Sequence, residues 1–241
     1  MTTLARLAIL LLLSLFASSC QFDINFGSSG KAGNGNVISE TRNIPEDFTM
    51  IKATEGIDVF VTQATDFKIE IEGDANIIDL IGTKVKDGKL TVYAKENIGR
   101  ATKKVYVSLP NITSLSSTSG ADLTVKGKIT ASTIDLDASS GADLLVELEA
   151  SEVFANSSSG ADIEIIGKVN MLHADASSGS DIKAKDLVAQ KCNAEASSGS
   201  DIAVHVTESL VADASSGGDI SYGGNPNVEK RKSSSGSVSQ Y

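Results

Sequence analysis

The sequence predicts an all-β chain: a right-handed parallel β-helix-like solenoid over 111–225, with a strand-rich head over 37–110 before it. Three observations predict it. Glycine recurs at 120, 141, 160, 179, 199, 217 and 236, at spacings of 21, 19, 19, 20, 18 and 19 residues, each time after a serine. A fixed period near 20 marks a solenoid, in which each unit buries its apolar face only by stacking on its neighbours. Within a unit, aliphatic residues alternate with polar ones, which is the two-residue period of extended chain and not the 3.6-residue stripe of a helix. Ahead of the repeats, short apolar runs are separated by turn-forming residues, as strands are.

The elements follow in chain order. Met1 to Ala17 carries one basic residue, Arg6, and an apolar run over 7–16 broken only by Ser14, then Ala17-Ser18-Ser19-Cys20. Such a run is too short for a permanent span of about 20 residues, but it suits the core of a secretory signal peptide. Residues 1–19 therefore read as a leader and the chain as exported. Small residues before a cysteine resemble the lipobox of bacterial lipoproteins, where the peptidase cuts before the cysteine and the cysteine takes the lipids; Ala17 stands where that family usually has Leu. The resemblance implies an acyl anchor on Cys20, holding the chain to an outer membrane, on its periplasmic or cell-surface side, without a transmembrane helix. The other reading is an ordinary leader cut after Ala17 or Ser19, with Cys20 a free thiol. Residues 20–36, rich in Gly and Ser and without periodicity, read as a flexible tether.

In the head, Phe48 to Ala53, Ile57 to Val61, Phe67 to Ile71, Leu90 to Tyr93 and Val105 to Val107 alternate or run apolar over strand lengths. Asp87-Gly88 is a hairpin signal, because a primed turn needs positive φ. Only 76–81 reads as a helical turn.

Aligning the units on glycine assigns the solenoid positions. Three and five residues after it stand Leu123/Val125, Leu144/Val146, Ile163/Ile165, Ile182/Ala184, Ile202/Val204 and Ile220/Tyr222. Seven before the next glycine stand Ile134, Val153, Leu172, Cys192 and Leu210, followed at alternate positions by small residues, mostly alanine. These columns share one side of the strand and predict a narrow interior of small aliphatics. The turn glycine is expected at positive φ, and the stacked serine hydroxyls are expected to bond from rung to rung. Counted back from Gly236, the seventh unit would turn Glu229, Arg231 and Ser233 inward, so 226–241 reads as a polar cap or a frayed tail.

Composition narrows the function. Apolar residues make up 41% but aromatics only 5%, with no Trp, and 21 Lys+Arg against 31 Asp+Glu leave a net charge of −10. That charge argues against nucleic acid as a partner, because affinity for it comes mainly from cations neutralising phosphates. With Cys20 lipidated, Cys192 has no disulfide partner, and its inward column makes it a small buried hydrophobe.

The chemistry candidates are acidic. Asp122, Asp143, Asp162, Asp181, Asp201 and Asp219 stand two after each glycine, and Asp137, Asn156, Asp175, Glu195 and Asp213 stand four before the next, so both columns flank one turn and form a ridge. Carboxylates about 4.8 Å apart repel by about 0.9 kcal/mol in water and about 3.5 kcal/mol at an effective dielectric of 20. Asx-type bonds from turn N–H groups would offset this. The sharper reading places Ca²⁺ or another hard cation between rungs. A third makes pairs such as Asp143 and Asp162 the acid and base of a glycan hydrolase or lyase, but catalytic carboxylates need different environments and these repeat from rung to rung, so no catalytic residue is assigned. His173 and His205 point outward with no partner at ligand spacing, which leaves no zinc site.

Glu55-Gly56-Ile57-Asp58-Val59, a Gly-Ile-[Asn/Asp]-Val motif behind Phe48 to Ile51 and ahead of the Ser-Gly-Ala-Asp ladder, resembles the "head GIN domain" family of autotransporter-adhesin-like envelope lipoproteins, common in Bacteroidota. The similarity covers about 44–224, with Asp58 in place of the motif's Asn. The resemblance implies an all-β solenoid on the cell envelope and no reaction. Together the expectations are a non-enzymatic lipoprotein, structural or adhesin-like, presenting a rigid acidic Ser/Asp surface to a protein or glycan. The alternatives are a glycan-active β-helix enzyme and a Ca-dependent matrix protein.

Overall fold

The structure, a computed structural model, describes residues 30–231 and 235–241; the expected leader, Cys20 and the first part of the expected tether lie outside the described residues. The head holds β1 (Val37–Thr41), β2 (Met50–Ala53), β3 (Asp58–Gln63), β4 (Lys68–Asp74), a 3-10 turn (Ile78–Leu80), β5 (Ile81–Lys86), β6 (Lys89–Ala94), β7 (Lys103–Leu109) and β8 (Ser114–Thr118). β5 and β6 form the expected antiparallel hairpin, closed by Asp87 at φ 52° and Gly88 at φ 71°. The solenoid holds β9 (Asp122–Ser139), β10 (Asp143–Ser158), β11 (Asp162–Ser177), β12 (Asp181–Ser197), β13 (Asp201–Ala214), β14 (Asp219–Gly224), β15 (Asn227–Lys230) and β16 (Ser237–Gln240).

Every pairing from β9 onward is parallel and near in register: Leu123, Leu144, Ile163, Ile182, Ile202 and Ile220 sit one above another. Each long strand leaves a turn on one face, bends, and reaches the next turn along the other. Register shifts between Leu145/Glu147, Glu164/Gly167 and Ala184/Val188 absorb the unequal repeat lengths at that bend. At Gly167, φ is 123° and an added Cβ would collide with the Leu148 carbonyl, so the close approach of two rungs requires glycine. The inward columns are buried as expected, Cys192 among them between Leu172 and Leu210, and burial pushes its thiol up to about 12.

The head is not a separate layer. β2 and β3 form a rung of the same stack, parallel to β8 and β9, and β6 and β7 form the rung below it. The chain builds the upper rung first, leaves through β4 and β5, builds the lower rung, then passes over to set β8 on β2. Antiparallel β4 on β7, β1 on β4 and β5 on β6 close this end, replacing the open parallel edge that a bare rung would expose.

Residues 30–36, expected as the end of the tether, are laid against the head. Lys31 N donates to Asn97 O at 2.9 Å and Gly33 N to Arg100 O at 2.9 Å. The buried Asp74 carboxylate accepts from Gly35 N and, at 2.7 Å, from Thr102 N. Residues 31–35 are therefore tied to the head by hydrogen bonds.

The last unit also differs from its expected alignment. Leu210 pairs with Val228 and Ala212 with Lys230, so Val228 and Lys230 take the inward columns instead of Glu229 and Arg231; Ser233 lies outside the described residues. Ser235, at φ 63°, stands where the other turns have glycine, because Asp219 pairs with Ser237 and Ser237 N donates to Gly218 O as Asp219 N does to Ser200 O. Lys230 Nζ reaches Val238 O at 2.6 Å, bridging the two faces across the end of the core, and Gln240 Nε2 donates to Gly224 O at 2.8 Å. A charge in an inward column closes the edge.

Candidate functional site

Each turn of the ridge is a two-residue Ser-Gly unit with both residues left-handed: the serines at 119, 140, 159, 178, 198 and 216 have φ between 50° and 58°. Only the glycine was expected there. A left-handed serine costs about 1 kcal/mol or more, and the stack supplies a compensating bond. Gly120 N donates to Ser140 O, Gly141 N to Ser159 O, Gly160 N to Ser178 O and Gly179 N to Ser198 O, at 3.1–3.2 Å. The turn amides are therefore engaged rung to rung, and among the described residues none donates to a ladder carboxylate, contrary to the Asx-type bonding expected. Buried hydroxyls brace the same turns: Ser117 and Ser157 Oγ donate to the carbonyls of Ala121 and Ala161, and Ser180 and Ser200 Oγ to those of Ser157 and Ala176, at 2.7–2.8 Å. Thr118 and Ser139 share a hydroxyl bond of 2.9 Å between rungs.

The six aspartates line up in register along one edge. Asp58 joins them beside Asp122, above a turn of Glu55 at φ 61° and Gly56 at φ 67° whose amide donates to Ser119 O. Sequence reasoning missed Asp58 as a ladder member, although Gly56-Ile57-Asp58-Val59 has the same frame as Gly120-Ala121-Asp122-Leu123. Lys104 in register with Asp58 ends the column on one side; on the other, Ser237 Oγ donates to Asp219 Oδ1 at 2.7 Å.

Burial, and then Asp143 and Asp58, push the Asp122 carboxyl up against the pull of Lys103. Burial and Asp162 likewise raise Asp181, opposed by Lys183. Lys183 Nζ sits 2.7 Å from Asp162 and 3.8 Å from Asp181, spanning two rungs, and its own pKa is raised, first by the hydrogen bond to Asp162. A shallow concavity of about 610 Å³ beside it is lined by Asp181, Lys183, Asp201, Asp219, Ser221 and Ser239.

The second column, Asp137, Asn156, Asp175, Glu195 and Asp213, is also in register across the turn. Asn156 Nδ2 donates to Asp137 Oδ1 at 3.3 Å, which partly counters the rise that burial imposes on that carboxyl. On the other flank Phe60 and Tyr106 stack at 5.2 Å with Lys126 Nζ 4.6 Å from the Phe60 ring centre.

Asp143 and Asp162 are aligned neighbours like every other pair in the ladder, and neither lines the concavity. His173 stacks on Phe154 at 4.5 Å with Nε2 3.1 Å from Glu152 Oε1, while His205 stands apart in register with Val188 and Gly223. Among the described residues no group of three or more His, Cys, Asp or Glu could hold a metal ion. The arrangement is an acidic surface that repeats one carboxylate position from rung to rung.

Over residues 47–226 the sequence matches the family described as "Putative auto-transporter adhesin, head GIN domain". No curated protein matches the chain. Among solved structures, a "putative adhesin" from Bacteroides fragilis superposes with a TM-score of 0.77 at 22% identity, covering 88% of this chain and 99% of that one. A "putative adhesin" from Parabacteroides merdae gives 0.70 at 20% identity, covering 87% and 98%. A "putative lipid binding protein" from Parabacteroides distasonis gives 0.61 at 19% identity, covering 87% and 98%. At these identities the likeness is one of fold.

Proposed function

The chain belongs to the head GIN domain family, and on that premise we propose that it is a non-enzymatic, adhesin-like protein of the cell envelope. It is exported, held to the outer membrane by lipid on Cys20, and presents its acidic Ser/Asp ridge to a protein or glycan. The observation that carries the reading is the register of the ladder: Asp58 and six further aspartates repeat one chemical group along one rigid edge. A glycan hydrolase that works by a carboxylate pair needs the two held in different environments, whereas a repeated edge suits many weak contacts to a long partner, whose avidity grows with the number engaged.

Binding of the chain to arrayed envelope polysaccharides and matrix proteins tests this, using Asp122→Asn, Asp162→Asn and Asp201→Asn singly and together. The expected result is a small, similar loss for each and a large loss for the triple variant. Glycan cleavage abolished by a single one of them would overturn the reading. Palmitate labelling that persists in Cys20→Ser would overturn the anchor.

A further inference from the structure

The face that precedes the Ser-Gly turn changes sign along the stack. Its strands run in the order β5, β6, β2, β8, β9, β10, β11, β12, β13, β15. Two outward columns cross them in register. At the head end these carry Lys84 and Lys86 on β5, Lys89 on β6 and Lys52 on β2. Past β8 the same columns carry Asp135 and Asp137, then Asp175, Glu195 and Asp213, and they end on Glu229 and Arg231. Lys86 lies 3.8 Å from its neighbour Asp87 and Glu195 lies 3.6 Å from Arg231; among the described residues the other lysines and aspartates of this face form no ion pair.

We propose that this face docks a second copy of the chain, face to face and antiparallel, with the lysine end of each copy on the carboxylate end of the other. Two-fold symmetry makes such a contact self-complementary. With the axis midway between β9 and β10, each column meets itself reversed. Lys52 then faces Glu195, Lys86 on β5 faces Glu229 on β15, and Lys89 lies beside Asp213; Lys84 falls opposite Arg231, a like-charge contact at the rim that the Arg231–Glu195 pair offsets. Ser116 faces Asp175, and Asp137 faces Asn156, which can donate to it.

Ten strands about 4.8 Å apart and five residues across make a face of about 43 by 17 Å, or about 700 Å² per copy. That is close to the standard interface of about 800 Å² per partner. A lipid surface fits less well. The carboxylates of Asp135 and Asp137 lie two strands from Lys52 on the same face and would be pressed against anionic headgroups, whereas a second copy satisfies both signs. The net charge of −10 on each copy opposes approach, but that repulsion is screened beyond about 8 Å at physiological salt, while charge pairs at contact are screened less.

Sedimentation equilibrium of the full chain tests the proposal. A dimer is expected at 0.15 M NaCl, with a dissociation constant about tenfold higher at 0.6 M. Lys52→Glu with Lys86→Glu, and separately Glu195→Lys with Glu229→Lys, should each sediment as a monomer with an unchanged melting midpoint, and mixing the two variants should restore the dimer. A monomer at every salt concentration, a dimer that survives the lysine substitutions, or a mixture that stays monomeric would each overturn it. So would monomers that co-sediment with phosphatidylglycerol vesicles through these lysines, which would assign the face to lipid.

Discussion

The head and the solenoid share one stack but are stabilised differently. Residues 30–118 hold 11 Lys+Arg against 12 Asp+Glu, whereas residues 119–231 hold 8 against 18. The head buries large side chains, Phe48, Ile71 and Leu90 among them, packs Phe48 on Phe67 at 5.3 Å, and mixes antiparallel strands with parallel ones. The solenoid repeats one small unit and concentrates charge on its turns. The head is a unique end closure, so each of its contacts is needed once. The solenoid approximates a sum of equal nearest-neighbour terms, so a unit there can be altered with local consequences.

The largest effect should come from the head. Ile71→Ala removes a fully buried side chain from beneath β7 and should destabilise by about 3 kcal/mol in a denaturant titration. Asp74→Asn should cost about 2 kcal/mol, because it puts an amide where a buried carboxylate accepts from two backbone N–H groups. It should also speed hydrogen exchange at Gly35 and Thr102 before the rest of the head. Deleting residues 162–180 removes one unit and joins Ala161 to Asp181 in the same frame. The shortened solenoid should still fold, with its midpoint lowered by less than about 5 °C; failure to fold would show that the units are not equivalent.

Charge on the ridge should have a smaller effect. The raised carboxyls of Asp122 and Asp181 mean that, between the ordinary value of 3.8 and their folded values, the folded chain binds more protons than the unfolded one. Their contribution therefore falls as pH rises through that window. Asp122→Asn and Asp181→Asn should each raise the unfolding free energy slightly at pH 7, by less than about 1 kcal/mol because both groups are partly solvated, and the gain should vanish below pH 3.8. The smallest effect is expected from EDTA, which should leave the midpoint unchanged; a drop would show that a cation bound to the folded state had been removed.

Much of this could be read from residue order. The 19-residue period and the alternating aliphatics sufficed for the stack, the buried columns, Cys192 and the two in-register acidic columns, and Gly-Ile-Asp-Val with the ladder pointed to the family. The left-handed serines were not legible, because serine carries no turn signal of that kind and the bonds that the neighbouring rung makes to the carbonyls of Ser119, Ser140, Ser159, Ser178 and Ser198 come from residues distant in sequence. Asp58 was missed because 60 residues of intervening chain separate Gly-Ile-Asp-Val from its aligned neighbour Gly-Ala-Asp-Leu. Residues 30–36 read as tether because their partners, Asp74, Asn97 and Arg100, lie in other elements.

Local order thus determined which side of each strand faces inward and which groups recur on the turns, since side-chain parity is a property of neighbouring residues. Tertiary structure alone decided the order of the rungs, the one-residue shift of the last unit and the place of Asp58. Register between distant strands is set by closing the coil and covering its ends, and those contacts join residues that no short-range pattern relates.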